Sequence, residues 1–288
     1  MILVTGATGQ IGRRVARLLV DEGHAPRLMV RNLGKVPGLP GAEVVRADYA
    51  EPETLDSAFA GIETALLVSG YAAPGERARL HRNAIEAAAR AGVGHVVYTS
   101  FQGASPESRF PMSRDHFETE GYLAQSGVAY TALRDSFYLD LIPDMFGEAG
   151  VMRGPAGRGR AAWVSRDDVA RVAFAVLKNP SLGSGVFDLT GAEALTMEET
   201  AERMSSLAGR ELRYEEETVE EGRAWRSRLG APDWEVDTWL GSYEAIAAGE
   251  LAATSDTIAR ITGRRPETLE EYFSAHPELL APLGPRPI

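Results

Sequence analysis

The most constraining feature of this chain is its N-terminal strand, turn and helix. The apolar run Ile2-Leu3-Val4 leads into Gly6-Ala7-Thr8-Gly9-Gln10-Ile11-Gly12, and Ile11, Val15, Leu18 and Leu19 then recur along one helix face. Each glycine has a steric task. Gly6 lets the strand leave through a tight turn, Gly9 removes a side chain where backbone approaches a pyrophosphate, and Gly12 allows the helix to pack close to the strand. The free N–H groups and positive dipole end of that helix then face the phosphates. A glycine-rich turn without a ligand is the alternative, and the strand before it and helix after it weigh against that.

The same alternation continues. Pro26 to Val30, Glu43 to Ala47, Thr64 to Val68, His95 to Thr99 and Val128 to Leu133 read as buried strands. Helical patterns over Ala78 to Ala91 and Arg114 to Gln125 lie between the later ones. Apolar runs interleaved with helices predict an α/β fold, a Rossmann-type doubly wound parallel sheet with helices on both faces. Beyond residue 135 the rhythm changes. Gly150 to Ala162, rich in Gly and Arg, reads as exposed loop; Asp167 to Leu177 reads as a helix and Val186 to Leu189 as a strand. Thr196 followed by Glu199 marks a capped helix start, and the tail from Val219 to Leu280 is largely helical. The expected organisation is a dinucleotide-binding core over 1–135 and a smaller C-terminal substrate lobe over 136–288, with some elements returning to the core in one compact unit.

Composition narrows the function. The formal net charge of −11 argues against a nucleic-acid partner, whose phosphates need a basic footprint. With no cysteine, disulfides, thiolate metal sites and cysteine nucleophiles are excluded, and no metal site is expected from the scattered carboxylates. The chain opens directly on a strand pattern and has no apolar run long enough to span a bilayer, so a cytoplasmic protein without membrane contact is expected. Among the carboxylates, Glu215-Glu216-Glu217 with Glu220-Glu221 reads as a solvated face. Whether the chain pairs as a homodimer is left open.

The residue after the second strand discriminates between cofactors. An acid there binds the ribose 2′-hydroxyl of NAD, whereas an arginine suits the 2′-phosphate of NADP. The sequence reads Met29-Val30-Arg31-Asn32, and a guanidinium grips phosphate at two points without deprotonating, so NADP(H) is favoured. Asp48, after the third strand, is either an adenine contact or a turn-former.

With Val30-Arg31-Asn32, Ala47-Asp48-Tyr49, Tyr98-Thr99-Ser100, His116-Phe117-Glu118-Thr119-Glu120, Arg134-Asp135-Ser136-Phe137-Tyr138 and Ser165-Arg166-Asp167-Asp168 added to the glycine turn, the chain resembles the NmrA-like atypical short-chain dehydrogenases. Within them it is similar to the bacterial NADPH-dependent quinone reductases. The resemblance implies that Gly6, Ala7, Thr8, Gly9, Gln10, Ile11 and Arg31 bind the ADP-phosphate part. It places Val68, Ser69 and Gly70 along the cofactor and Thr99 and Ser100 near the nicotinamide ribose. Arg134 to Leu139, with Ser136 among them, would border nicotinamide and substrate, and Trp163 to Val169 would form another wall.

Typical short-chain dehydrogenases carry a Tyr and a Lys four residues apart, the lysine lowering the tyrosine pKa for proton exchange. Here the only lysines are Lys35 and Lys178, preceded at that spacing by Arg31 and Phe174, so the pair is absent. The family resemblance offers His116 as an acid, with Glu120 one turn on to favour its protonated form. The other reading of His116 is an exposed helix histidine. Phe101, Phe137, Tyr138 and Trp163 are candidates to line an apolar slot for a flat acceptor, or are plain core aromatics. Two functions remain: an NADPH-dependent oxidoreductase passing hydride to a quinone or similar electrophile, and a non-catalytic NADP(H) sensor.

Overall fold

Short apolar segments fed by tight turns form the centre of the molecule, a computed structural model that describes residues 1–281 apart from Pro37 and Glu148. Strands and helices alternate as β1 (Ile2–Val4), α1 (Gln10–Asp21), β2 (Arg27–Val30), β3 (Glu43–Arg46), α2 (Pro52–Phe59), β4 (Thr64–Leu67), α3 (Glu76–Arg90), β5 (His95–Phe101), α4 (Pro111–Gln125) and β6 (Ala129–Asp135). There follow β7 (Val151–Gly154), β8 (Arg160–Ala161), α5 (Arg166–Lys178), β9 (Gly185–Leu189), β10 (Leu195–Thr196), α6 (Met197–Ala208), β11 (Arg213–Glu216), α7 (Val219–Arg226), α8 (Asp233–Ala247), α9 (Thr257–Thr262) and α10 (Leu269–Ala275). Helix α2 is an element the sequence pattern did not signal, although Pro52 occupies the first helical position where proline is well tolerated.

Seven strands form one parallel sheet in the order β3-β2-β1-β4-β5-β6-β9, the expected Rossmann-type arrangement. The order reverses between β1 and β4, which opens a crevice at the carboxyl ends of those strands. A parallel sheet is covered on both faces, and every residue of β5 is buried accordingly. Val15 and Leu19 of α1 pack with Val169, Val172 and Val176 of α5 on one side, while Leu55, Phe59, Ala84, Ile85 and Leu123 cover the other. Through α5 and β9 the second half of the chain returns to the sheet. Its remaining elements build a third apolar cluster around Phe146, Met152, Met204, Tyr272 and Phe273. No helix among the described residues is long and apolar enough to cross a membrane.

Two sequence expectations are corrected. The Gly- and Arg-rich stretch over 150–162 is not an exposed loop, because it contains β7 and β8, with Val151, Met152, Ala161 and Ala162 buried. Its glycines serve close packing. A Cβ at Gly154 would lie 2.4 Å from the Tyr243 ring, and one at Gly159 2.0 Å from the Ile246 carbonyl oxygen. Composition is the same for a mobile glycine and for a packed one. The acidic run is not wholly solvated either: Glu215 pairs with Arg153 and Arg213, while Glu217, its side chain 8% exposed, pairs with Arg226. The capping box at Thr196 and Glu199 is present as read.

Gly154→Ala tests the packing account. Overfilling this contact should cost about 1–3 kcal/mol, measured as a lower denaturation midpoint with cofactor affinity unchanged. An unaltered midpoint would show that Tyr243 moves aside freely.

Candidate active site

The glycine turn meets the steric demands of a dinucleotide. Gly6 has φ +57°, and a Cβ there would come within 3.0 Å of Val68 Cβ. At Gly12 a Cβ would lie 2.3 Å from the Gly6 carbonyl oxygen, so α1 can approach β1 only without a side chain. Gly9 is different: it is exposed, and its Cβ would meet only Gly6 O, at 3.2 Å. That contact is tight but far less so than at Gly12, so packing leaves Gly9 the more tolerant of the two. Helices α5, α6, α7 and α10 are capped by Ser165, Thr196, Thr218 and Thr268, but α1 begins at Gly9 without a side-chain cap. Its first-turn N–H groups are therefore available to an anion.

Around this turn the neighbouring strand ends are fixed by hydrogen bonds. Val68 N–H donates to Thr5 Oγ1 at 2.9 Å, and the Tyr49 hydroxyl donates to Val68 O at 3.1 Å. Ser69 N–H donates to Thr99 Oγ1 at 2.8 Å. Arg31, at the end of β2, is exposed and has no hydrogen-bond or ion-pair partner among the described residues. Asp48 uses Oδ1 to accept from Ala50 N–H at 3.0 Å, the turn-forming role.

Thr99 and Ser100 face opposite sides of β5, and their hydroxyls do different things. Thr99 supports Ser69, while Ser100 donates to Glu120 Oε1 at 2.5 Å. Arg134 grips the same carboxylate at both oxygens, at 2.9 and 2.7 Å. Of the candidate slot residues, Phe101, Phe137 and Trp163 come together: ring centroids lie 5.0 Å apart for Phe101–Phe137 and 6.1 Å for Phe137–Trp163. Phe110, which the sequence reading missed, completes the group at 5.0 Å from Phe101 and 5.5 Å from Phe137. Tyr138 is not part of it. Its hydroxyl donates to Asp135 and its ring lies under the Arg166 guanidinium, on the side of the sheet covered by α1 and α5. Ser136 is buried, with its N–H bonded to Leu189 O.

The pairing expected of His116 with Glu120 does not form, since Glu120 is taken by Ser100 and Arg134. Nor is His116 an exposed histidine; it is 4% exposed. Its Nε2 lies 2.6 Å from an Arg77 nitrogen, and its Nδ1 2.8 Å from the Tyr98 hydroxyl. Because a guanidinium only donates, Nε2 accepts and the single ring proton sits on Nδ1, directed at Tyr98. Burial, then the Arg77 charge, hold its pKa well below the ordinary histidine range. The one proton of this neutral imidazole is committed to Tyr98, so His116 is not poised as a general acid.

Comparison with known proteins agrees with this geometry. Residues 6–180 match the NAD(P)H-binding family. The chain belongs to that family. It is 35% identical to quinone oxidoreductase 2 of Escherichia coli, over 95% of this chain and 98% of that protein. The NADPH complex of the E. coli enzyme superposes with a TM-score of 0.86, covering 96% of this chain and 99% of that one at 33% identity. It is 31% identical to the NAD(P)H azoreductase of Xenophilus azovorans, over 96% and 98% of the two chains. NmrA, a negative transcriptional regulator solved with NAD, shares the fold at a TM-score of 0.76 and 17% identity, covering 94% and 93%. The resemblance to NmrA-like reductases drawn from the sequence is thus borne out, and the protein is an NAD(P)H-dependent oxidoreductase.

Gly9→Val isolates the ligand requirement. The branched side chain should reduce cofactor affinity roughly a hundredfold or more by filling the pyrophosphate space, while the unfolding midpoint stays near that of the unmodified protein. Fluorescence titration and thermal melts measure the two. Unchanged affinity would mean that the phosphates lie elsewhere.

Proposed function

We propose that this protein transfers hydride from NADPH to a quinone or a similarly flat, electron-poor acceptor. The observation that carries the proposal is the half-buried ring of Phe137, just past the carboxyl end of β6, beside Phe101 at the end of β5 and backed by Phe110 and Trp163, the last three buried in the apolar core. The relatives named for quinone and azo substrates act on planar conjugated molecules, and rings of this kind stack such acceptors. A regulator reading has less support, because NmrA shares only the architecture.

The cofactor, when bound, supplies the hydride. The uncapped start of α1 would hold its pyrophosphate, with Arg31 on the 2′-phosphate at the β2 side. The nicotinamide half would then be held on the other side of β1, by residues at the ends of β4 and β5. There Thr99 fixes the Ser69 segment, and the half-buried ring of Phe137 would orient the acceptor. Hydride addition would give a hydroquinone monoanion, with water delivering the balancing proton, since the one proton of His116 is committed to Tyr98.

Two measurements follow. NADPH should bind more tightly than NADH, and Arg31→Asp should erase or reverse that preference, by about tenfold or more for a lost charged contact. Equal affinities in the unmodified protein would remove Arg31 from the site. His116→Gln keeps an acceptor for Arg77 and a donor for Tyr98 but cannot titrate. Its kcat with a small benzoquinone should fall less than about tenfold, whereas loss of a general acid costs about 10² or more. Absence of quinone-dependent NADPH oxidation in the unmodified protein would overturn the acceptor class.

A further inference from the structure

Beneath the crevice lies a buried polar cluster that the hydride step does not use. Arg77, the second residue of α3, is 5% exposed. Its Nε donates to Gly70 O at 2.7 Å, one terminal nitrogen donates to Met112 O at 3.2 Å, and the other donates to His116 Nε2 at 2.6 Å. One turn on, His81 Nε2 accepts the Gly70 N–H at 3.0 Å. That bond puts the His81 ring proton on Nδ1, which donates to Thr119 Oγ1 at 3.0 Å. Tyr98 lies between the two imidazoles, 2.8 Å from His116 and 3.3 Å from His81.

This arrangement is unfavourable as plain structure. A cation in the first turn of a helix opposes the helix dipole. Burying it costs hydration, and its hydrogen-bond partners are two carbonyls and an imidazole, the buried Asp115 carboxylate acting on it only through its charge. What the cluster achieves is control of one peptide segment, because Gly70 is held at its carbonyl by Arg77 and at its N–H by His81. Gly70 otherwise faces open space, and a Cβ there would meet nothing within 4 Å. The segment leaves β4, on the side of β1 away from Arg31.

We propose that Arg77 is a positioning residue for the nicotinamide half of the cofactor. Through Gly70 it sets the floor on which the nicotinamide ribose rests. Through His116, whose ring stacks 6.0 Å from Phe101, it ties that floor to the acceptor wall. The inference rests on the cofactor placement proposed above and is independent of the acceptor.

The test compares NADPH with adenosine 2′,5′-bisphosphate, which carries the 2′-phosphate end and lacks the nicotinamide half. In Arg77→Met, the Kd for NADPH should rise roughly tenfold or more, as for loss of a charged hydrogen bond, while the Kd for the bisphosphate stays within about twofold. Arg77→Lys keeps the cation but not the fork, so it should show an intermediate loss, again for NADPH alone, and it decides the matter if the Met variant does not fold. Equal weakening of both ligands in a folded variant would reduce Arg77 to general structure, and unchanged NADPH affinity in both variants would remove it from cofactor positioning. Failure of the bisphosphate to compete with NADPH on the unmodified protein would instead indict the cofactor placement itself.

Discussion

The contact on which the rest depends is the approach of α1 to β1 at Gly12. A single methyl group there would lie 2.3 Å from the Gly6 carbonyl oxygen, so helix and strand could no longer converge. Their convergence brings the uncapped helix start over the carboxyl end of β1, where the strand order reverses. It also allows Arg14 of α1 to reach Asp167 of α5 at 2.7 Å, linking the cofactor turn to the returning half of the chain. The phosphate site, the crevice and the join between the halves follow from one missing side chain.

Electrostatics on the two sides of β1 differ. On the β2 side, Arg31 is exposed and has no hydrogen-bond or ion-pair partner among the described residues. On the β4 and β5 side the charged and titratable groups are buried and committed to one another. Glu120 is shared by Ser100 and Arg134, and the two histidines are held neutral by donors aimed at their Nε2 atoms. For both histidines burial, then the charge of Arg77, lowers the pKa well below the usual value. On the proposed cofactor placement, charge recognition would fall to the adenosine end and buried, committed support to the reactive end.

How much of this was legible in sequence depended on range. The glycine turn, the strands of the parallel sheet and the Thr196 capping box are local patterns, and each appears where its residues pointed, whereas β7 and β8 hid in a Gly- and Arg-rich stretch. Nonlocal features were not visible. Arg77 reads as one more helix arginine, and nothing in its neighbourhood reveals that Gly70, Met112 and His116 converge on it. Phe110 precedes Pro111 in what looks like a loop, yet it packs against two of the slot aromatics. His116 was singled out by the family resemblance. Its real partners come from α3 and β5, so the i,i+4 reasoning that paired it with Glu120 chose the wrong neighbour.

The neutrality of that histidine bears on what such a site reduces. Hydride addition to an unactivated ketone produces an alkoxide nearly as basic as hydroxide, which needs a donor in place as the bond forms. Addition to a quinone produces a phenolate-type anion, closer in basicity to a tyrosinate, which solvent protonates without help. On the proposed function, a site with no Tyr–Lys pair and with His116 locked between Arg77 and Tyr98 would favour acceptors that stabilise their own negative charge. Such acceptors are conjugated and flat. The demand that electronics place on the substrate is the same demand that the Phe101, Phe110, Phe137 and Trp163 rings place on its shape.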